Sequence, residues 1–143
     1  MIFCDSSALI KKFVAEAGSD RVIEVLAAAE LIAVSRLAYP EIVAALGRKH
    51  REKGLTAQGH RQALDLLEHD WRELVVVELL EEFQPLIRKL AARHGLKGAD
   101  LVHLASAIWI GKSVNRRVTF VGSDARLQRA AAAEKLQVVN PED

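Results

Sequence analysis

The chain has 143 residues, half of them hydrophobic and 27% charged, with a formal net charge of +1. That composition suits one domain over 1–143, able to bury roughly 68–70% of its unfolded surface, and excludes a disordered or fibrous chain. The near-zero charge gives no global signal for a nucleic-acid partner, so any phosphate contacts must come from local patches.

Ile2-Phe3-Cys4 reads as a short buried strand, in which the single cysteine, unable to close an intramolecular disulfide, suits a small core side chain. A charge as early as Asp5 argues against a signal peptide, and the apolar run from Leu104 to Gly111 is too short to span a bilayer. A soluble, cytoplasmic protein is expected. Asp5-Ser6-Ser7 supplies caps for a helix running to about Ala15, and Gly18-Ser19 breaks and restarts the chain. Val22, Ile23, Val25 and Leu26 recur at helical spacing between Asp20 and Glu30, before a compact apolar strand from Leu31 to Ser35.

Pro40 suits the first turn of a helix that carries Glu41 and ends in the basic stretch Arg48-Lys49-His50-Arg51 before Gly54. Thr56 caps a helix ending near Trp71, and Leu74-Val75-Val76-Val77 is strand-like. A helix from about Leu79 to His94 stops at Gly95. Another runs from Asp100 through Ile110, and Arg117 to Val121 forms a strand. Gly122-Ser123-Asp124 opens the last long helix, and Val138-Val139 makes a final short strand. Strands alternating with helices predict an α/β sandwich with a parallel sheet, whose ligands bind at the strands' carboxyl ends.

Asp5 and Asp124 lie just past strand ends, and Glu41 and Asp100 lie in the first turns of helices expected to begin on the same sheet edge. Any one of these acids is explained by capping and by the helix dipole, worth about 0.3–1 kcal/mol. As a set they imply more. Asp100 has Leu104 and Ala107 on its side of the helix, which places it beside a buried stripe, and Glu41 has Ala44 and Ala45, which leave space before the carboxylate. Converging carboxylates repel one another unless a cation lies between them. An all-oxygen set without paired His or Cys favours Mg²⁺ or Mn²⁺ over zinc, and such an ion supports phosphodiester hydrolysis.

At these residues the sequence resembles the PIN-domain family, and within it the toxin nucleases of toxin-antitoxin pairs. Asp5-Ser6-Ser7-Ala8-Leu9-Ile10-Lys11 is similar to the family's first acidic block, and Ser35 through Glu41 with Ala44-Ala45-Leu46 to the second. Leu96 through Asp100, followed by Leu104-Ala105-Ser106-Ala107, resembles the third, and Asp124-Ala125-Arg126-Leu127 with Ala130-Ala131 the fourth. The resemblance spans nearly the whole chain. It implies a three-layer sandwich with a five-stranded parallel sheet, Mg²⁺-dependent cleavage of RNA with Asp5, Glu41, Asp100 and Asp124 as catalytic and metal-binding residues, inhibition by a small cognate antitoxin, and a homodimer. The chain departs from the pattern at Gly122, where the family often carries Thr or Ser. A hydroxyl stands instead at Ser123, which makes Asp124 the auxiliary member of the four.

Ser6 is a candidate for orienting a metal-bound water or phosphate, though capping explains a serine here equally well, and Ser7 is a weaker one. Arg48, Lys49, Arg51 and Lys53 are candidates for RNA phosphates beside the commoner role of complementing a helix C-terminus. His103, one helical turn from Asp100, reads more readily as a hydrogen-bonded structural histidine than as a proton shuttle. Trp71 and Trp109 read as core or dimer packing rather than base stacking. Two other classes compete with the nuclease. One is an RNA- or partner-binding module with little catalysis. The other is a phosphoacceptor or phosphatase with Asp5 as nucleophile, weakened because Ser7 stands where that chemistry needs a second acid.

Overall fold

Successive residues of a strand face opposite sides of its sheet, and in this chain both sides are apolar. The computed structural model describes residues 1–143, with strands β1 (Ile2–Cys4), β2 (Ile32–Ser35), β3 (Val75–Val77), β4 (Thr119–Val121) and β5 (Gln137–Val139). Phe3, Ala33 and Phe120 enter one core, while Cys4, Val34 and Val121 enter the other. A sheet buried on both faces needs helices on both, which is why these strands read as continuous apolar runs.

All pairings are parallel and the strand order is β3-β2-β1-β4-β5. One face is covered by α1 (Ser6–Leu9), α2 (Ser19–Ala27), α3 (Ala38–Arg51) and α4 (Ala57–Trp71), the other by α5 (Gln84–Arg93), α6 (Gly98–Ser113) and α7 (Ala125–Ala133). The expected three-layer sandwich on a five-stranded parallel sheet is the observed one. From β1 the chain winds outward through β2 to β3, then crosses back to add β4 and β5 on the other side of β1. The crevice between β1 and β4 is therefore the topological switch point, where such sheets bind ligands.

Three helices depart from their expected bounds. The helix after Asp5 is α-helical only to Leu9 and tightens into a 3₁₀ turn over Ile10–Lys12 rather than reaching Ala15. Ser19 stops it, since its hydroxyl donates to the Val14 carbonyl and accepts from the Glu16 amide, both at 3.0 Å. The segment expected as one helix from Leu79 to His94 has a 3₁₀ turn at Glu81–Phe83 and becomes α-helical only at Gln84. Pro85 accounts for this, because proline is tolerated in a first turn and not within a helix. Helix α6 begins two residues before Asp100 and continues three past Ile110. It is buried nearly all round, from Leu101 to Ile108 without an exposed residue, as befits a helix wedged between the sheet and its neighbours.

Candidate active site

The four acids meet at the carboxyl edge. Asp5 follows β1 and caps α1, Asp124 follows β4 and caps α7, and Glu41 and Asp100 occupy the first turns of α3 and α6. Asp5 is 2% exposed. Its Oδ1 accepts from the Ser7 hydroxyl at 2.7 Å and from the Ala8 amide at 3.0 Å. Burial pushes its carboxyl up to about 6, against the lowering effect of those two bonds. Asp100 is also raised, by partial burial first and then by the charges of Asp124 and Glu41, with His103 and Lys97 opposing. The acids are thus close enough to feel one another, with Asp5 also feeling Asp100.

Glu41 is shifted the other way. Partial burial raises its carboxyl, but the His103 bond and charge and the Ser6 hydroxyl together hold it below its ordinary value. Both bonds fall on Oε1, from Ser6 Oγ at 3.0 Å and from His103 Nε2. Asp124 Oδ1 accepts the Leu127 amide at 2.9 Å. A pattern emerges from these contacts. Asp5, Glu41 and Asp124 each tie one oxygen to the protein, leaving Asp5 Oδ2, Glu41 Oε2 and Asp124 Oδ2 without a protein donor.

The serines knit β1 to β4. Ser7 Oγ donates to Asp5 and accepts the Ser123 amide at 3.0 Å, while the Asp5 amide donates to the Val121 carbonyl. Gly122 explains itself by what lies against it: a Cβ there would sit 3.0 Å from Asp5 Oδ2 and 2.9 Å from the Phe120 ring. A side chain at this position would push the Phe120 ring or the Asp5 carboxylate, so the glycine that replaces a hydroxyl residue lets both pack this closely.

An open cavity of about 710 Å³ adjoins this edge, lined in part by Ser6, Ser7, Glu41, Ala44, Ala45 and Ser123. Arg48, Lys49 and Arg51 line it too, whereas Lys53 occupies the left-handed turn after α3 and does not. Lys49 is tied to Glu16 at 3.2 Å. The sequence reading overlooked Lys11, which is 6% exposed on the cavity wall and donates to the Ala17 carbonyl at 2.8 Å and to Glu16 at 3.3 Å. No spacing rule signals such a lysine, because its partners come from a loop. His103 is 1% exposed and therefore structural by burial, yet its Nε2 touches a site acid, and its Nδ1 is a buried atom without a partner. Trp71 packs edge-on against Tyr39 and Trp109 tilts over Phe83, each beside its core as expected.

The donor set suits a hard cation. Its oxygens are carboxylate oxygens, three of them free, around a buried acid held above its usual range. The cluster is not a preassembled cage, since no three His, Cys, Asp or Glu side chains form a group that holds an ion unaided.

A doubly wound sheet with carboxylates gathered at its switch point defines a class before it defines a protein. Residues 2–133 match the PIN-domain family, and the chain belongs to it. It is 36% identical over 111 residues, 78% of this chain and 77% of the relative, to ribonuclease VapC49 of Mycobacterium tuberculosis. To ribonuclease VapC46 of the same organism it is 32% identical over 143 residues, 98% of this chain and 97% of the relative. Among solved structures, FitAcB of Neisseria gonorrhoeae superposes with a TM-score of 0.66 at 18% identity, covering 99% and 98% of the two chains. VapBC2 of Rickettsia felis, bound to a DNA fragment from its promoter, gives 0.66 at 16% identity over 98% of each. No helix of the chain is long and apolar enough to cross a membrane.

Proposed function

We propose that this chain is a divalent-metal-dependent endoribonuclease, the toxin of a toxin-antitoxin pair, acting in the cytoplasm as a homodimer and silenced by a small cognate antitoxin. The observation that carries the reading is the gathering of four acids at the β1–β4 crevice, three of which, Asp5, Glu41 and Asp124, have one oxygen anchored and the other free. The relatives named ribonucleases supply the substrate class, and a toxin-antitoxin complex from Klebsiella pneumoniae, similar in fold with a TM-score of 0.61 at 18% identity, supplies the partner.

In this reading Asp5, Glu41 and Asp100 would be the main residues holding Mg²⁺ or Mn²⁺, with Asp124 completing or tuning the site. When bound, the ion lowers the pKa of water and offsets charge on the phosphate. The protein's own contributions follow from its contacts. Ser7 and Ala8 fix the Asp5 carboxylate, so that its free Oδ2 points to a set position. His103 and Ser6 keep Glu41 ionised, the form a cation needs, and leave its Oε2 without a protein donor. Ser6 thereby acts by orienting Glu41 as well as by any contact with phosphate.

The test is cleavage of single-stranded RNA by purified protein with Mg²⁺ or Mn²⁺, abolished by EDTA and by Asp5→Asn or Asp100→Asn. Equal cleavage after either substitution would sink the assignment. The second reading, an RNA- or partner-binding module with little catalysis, draws on the near-neutral charge and on the altered fourth block, with Gly122 where a hydroxyl residue often stands. Tight RNA binding without metal-dependent turnover would establish it.

A further inference from the structure

Four acids at one edge create a local field that repels the phosphates of a nucleic acid, and a chain of net charge +1 has no general surplus of cations to offset it. Compensation must come from cations placed beside the acids. On the α3 side they are partly spent: Lys11 and Lys49 both pair with Glu16, leaving Arg48 and Arg51. A second cationic cavity lies on the other face of the sheet from α3, among α5, α6 and α7. Its volume is about 510 Å³, and it runs between α7 and the loop that leads into α6.

Arg93, His94, Arg126 and Arg129 line this cavity, and no acidic side chain does. Glu134 engages Arg93 at 3.2 Å and His94 at 2.9 Å, whereas Arg126 and Arg129 are exposed and make no ion pair. Arg126 follows Asp124 by two residues, and Leu96, on the opposite wall, precedes Asp100 by four. Because α6 and α7 both begin at the edge that carries Asp100 and Asp124, the Arg126 end of the cavity is the end nearer the acids. Helix α7 is pinned at its start by Gln128, which donates to the Gly122 carbonyl at 2.6 Å, and at its end by Glu134. The two free guanidiniums are thus carried on a fixed helix, one turn apart, with a fork geometry matched to phosphate oxygens.

The geometry points to Arg126 and Arg129 as a phosphate-binding subsite for the RNA backbone on the α7 side of the acids, opposite the Arg48 and Arg51 groove. A single strand held in both grooves lies across the carboxylates and carries its scissile phosphate between two cationic tracks. The lining favours RNA over an acidic protein segment, because Leu96, Ala130 and Ala133 offer no deep apolar pocket for the anchoring side chain that protein recognition uses. The subsite rests on the ribonuclease reading for the identity of its polymer and not for its charge.

The experiment is binding of a short single-stranded RNA to the full chain in EDTA, where metal-dependent cleavage does not proceed, measured by fluorescence anisotropy over a range of salt. Each phosphate neutralised on a single strand contributes about 0.7 to the slope of log K against log salt, so Arg126→Ala/Arg129→Ala should lower it by about 1.4. Arg126→Lys/Arg129→Lys should retain the slope, as should Lys112→Ala/Arg117→Ala, which alters a different cavity. An unchanged slope in the alanine double variant overturns the subsite. So does loss of polyglutamate binding in that variant while RNA binding stays intact, which would assign the cavity to a protein partner. If the wild-type chain fails to cleave RNA but the slope falls as stated, the nuclease reading fails and the subsite stands.

Discussion

Asp5 is the residue on which chemistry and stability conflict. Its carboxyl, 2% exposed and raised from 3.8 to about 6, is more comfortable protonated in the folded chain than in the unfolded one. The native state then binds more protons between those values, so stability falls as pH rises through them, by about 3 kcal/mol in all. In metal-free buffer, the stability of wild type relative to Asp5→Asn should decline from about pH 4 to pH 6 and level off above, as read by urea unfolding. A flat difference would show that the buried charge is compensated. Glu41, held low, has the opposite sign: its stabilisation is present at neutral pH and lost as acid protonates it. His103→Ala should cost about 2–4 kcal/mol, through the space left and the donor removed, while His103→Gln, which keeps a donor toward Glu41, should recover part of it. Equal losses in both variants would make the Glu41 bond irrelevant.

The junctions between elements determine whether the acids meet. The turn from β4 into α7 passes so close to Asp5 that Gly122 cannot carry a side chain without moving the carboxylate or the Phe120 ring. Gly122→Ala should therefore cost about 1–3 kcal/mol by overpacking and reduce RNA cleavage at the same time, measured by unfolding and by turnover on one preparation. Full stability with full activity would mean that the crevice relaxes freely. The same scale shows where helix bounds resist sequence reading. Pro85 and the Ser19 hydroxyl, rather than any change in apolar periodicity, trim the helices expected over 79–94 and after Asp5.

For the molecule as a whole, the acids cost stability that a bound cation returns. A ligand that binds only the folded state raises its stability by mass action, and a carboxylate site binds its metal only when ionised. Mn²⁺ should accordingly raise the melting temperature by several degrees at pH 7.5 and much less at pH 5, with Asp5→Asn suppressing the gain. An equal gain in the variant would place the ion elsewhere.

Local sequence determined a great deal here, because each strand is a short apolar run, each acid stands at a strand end or helix start, and turn residues separate them. From these alone the parallel sandwich and its acidic edge were legible. Tertiary structure decided the rest. Which oxygen of each carboxylate is free, why Gly122 replaces a hydroxyl, how His103 reaches Glu41 from another layer and where Lys11 ends all depend on contacts between residues far apart in the chain. Spacing along a sequence reports periodicity and caps, whereas such contacts exist only once the sheet has brought β1, β4, α3 and α6 to one edge.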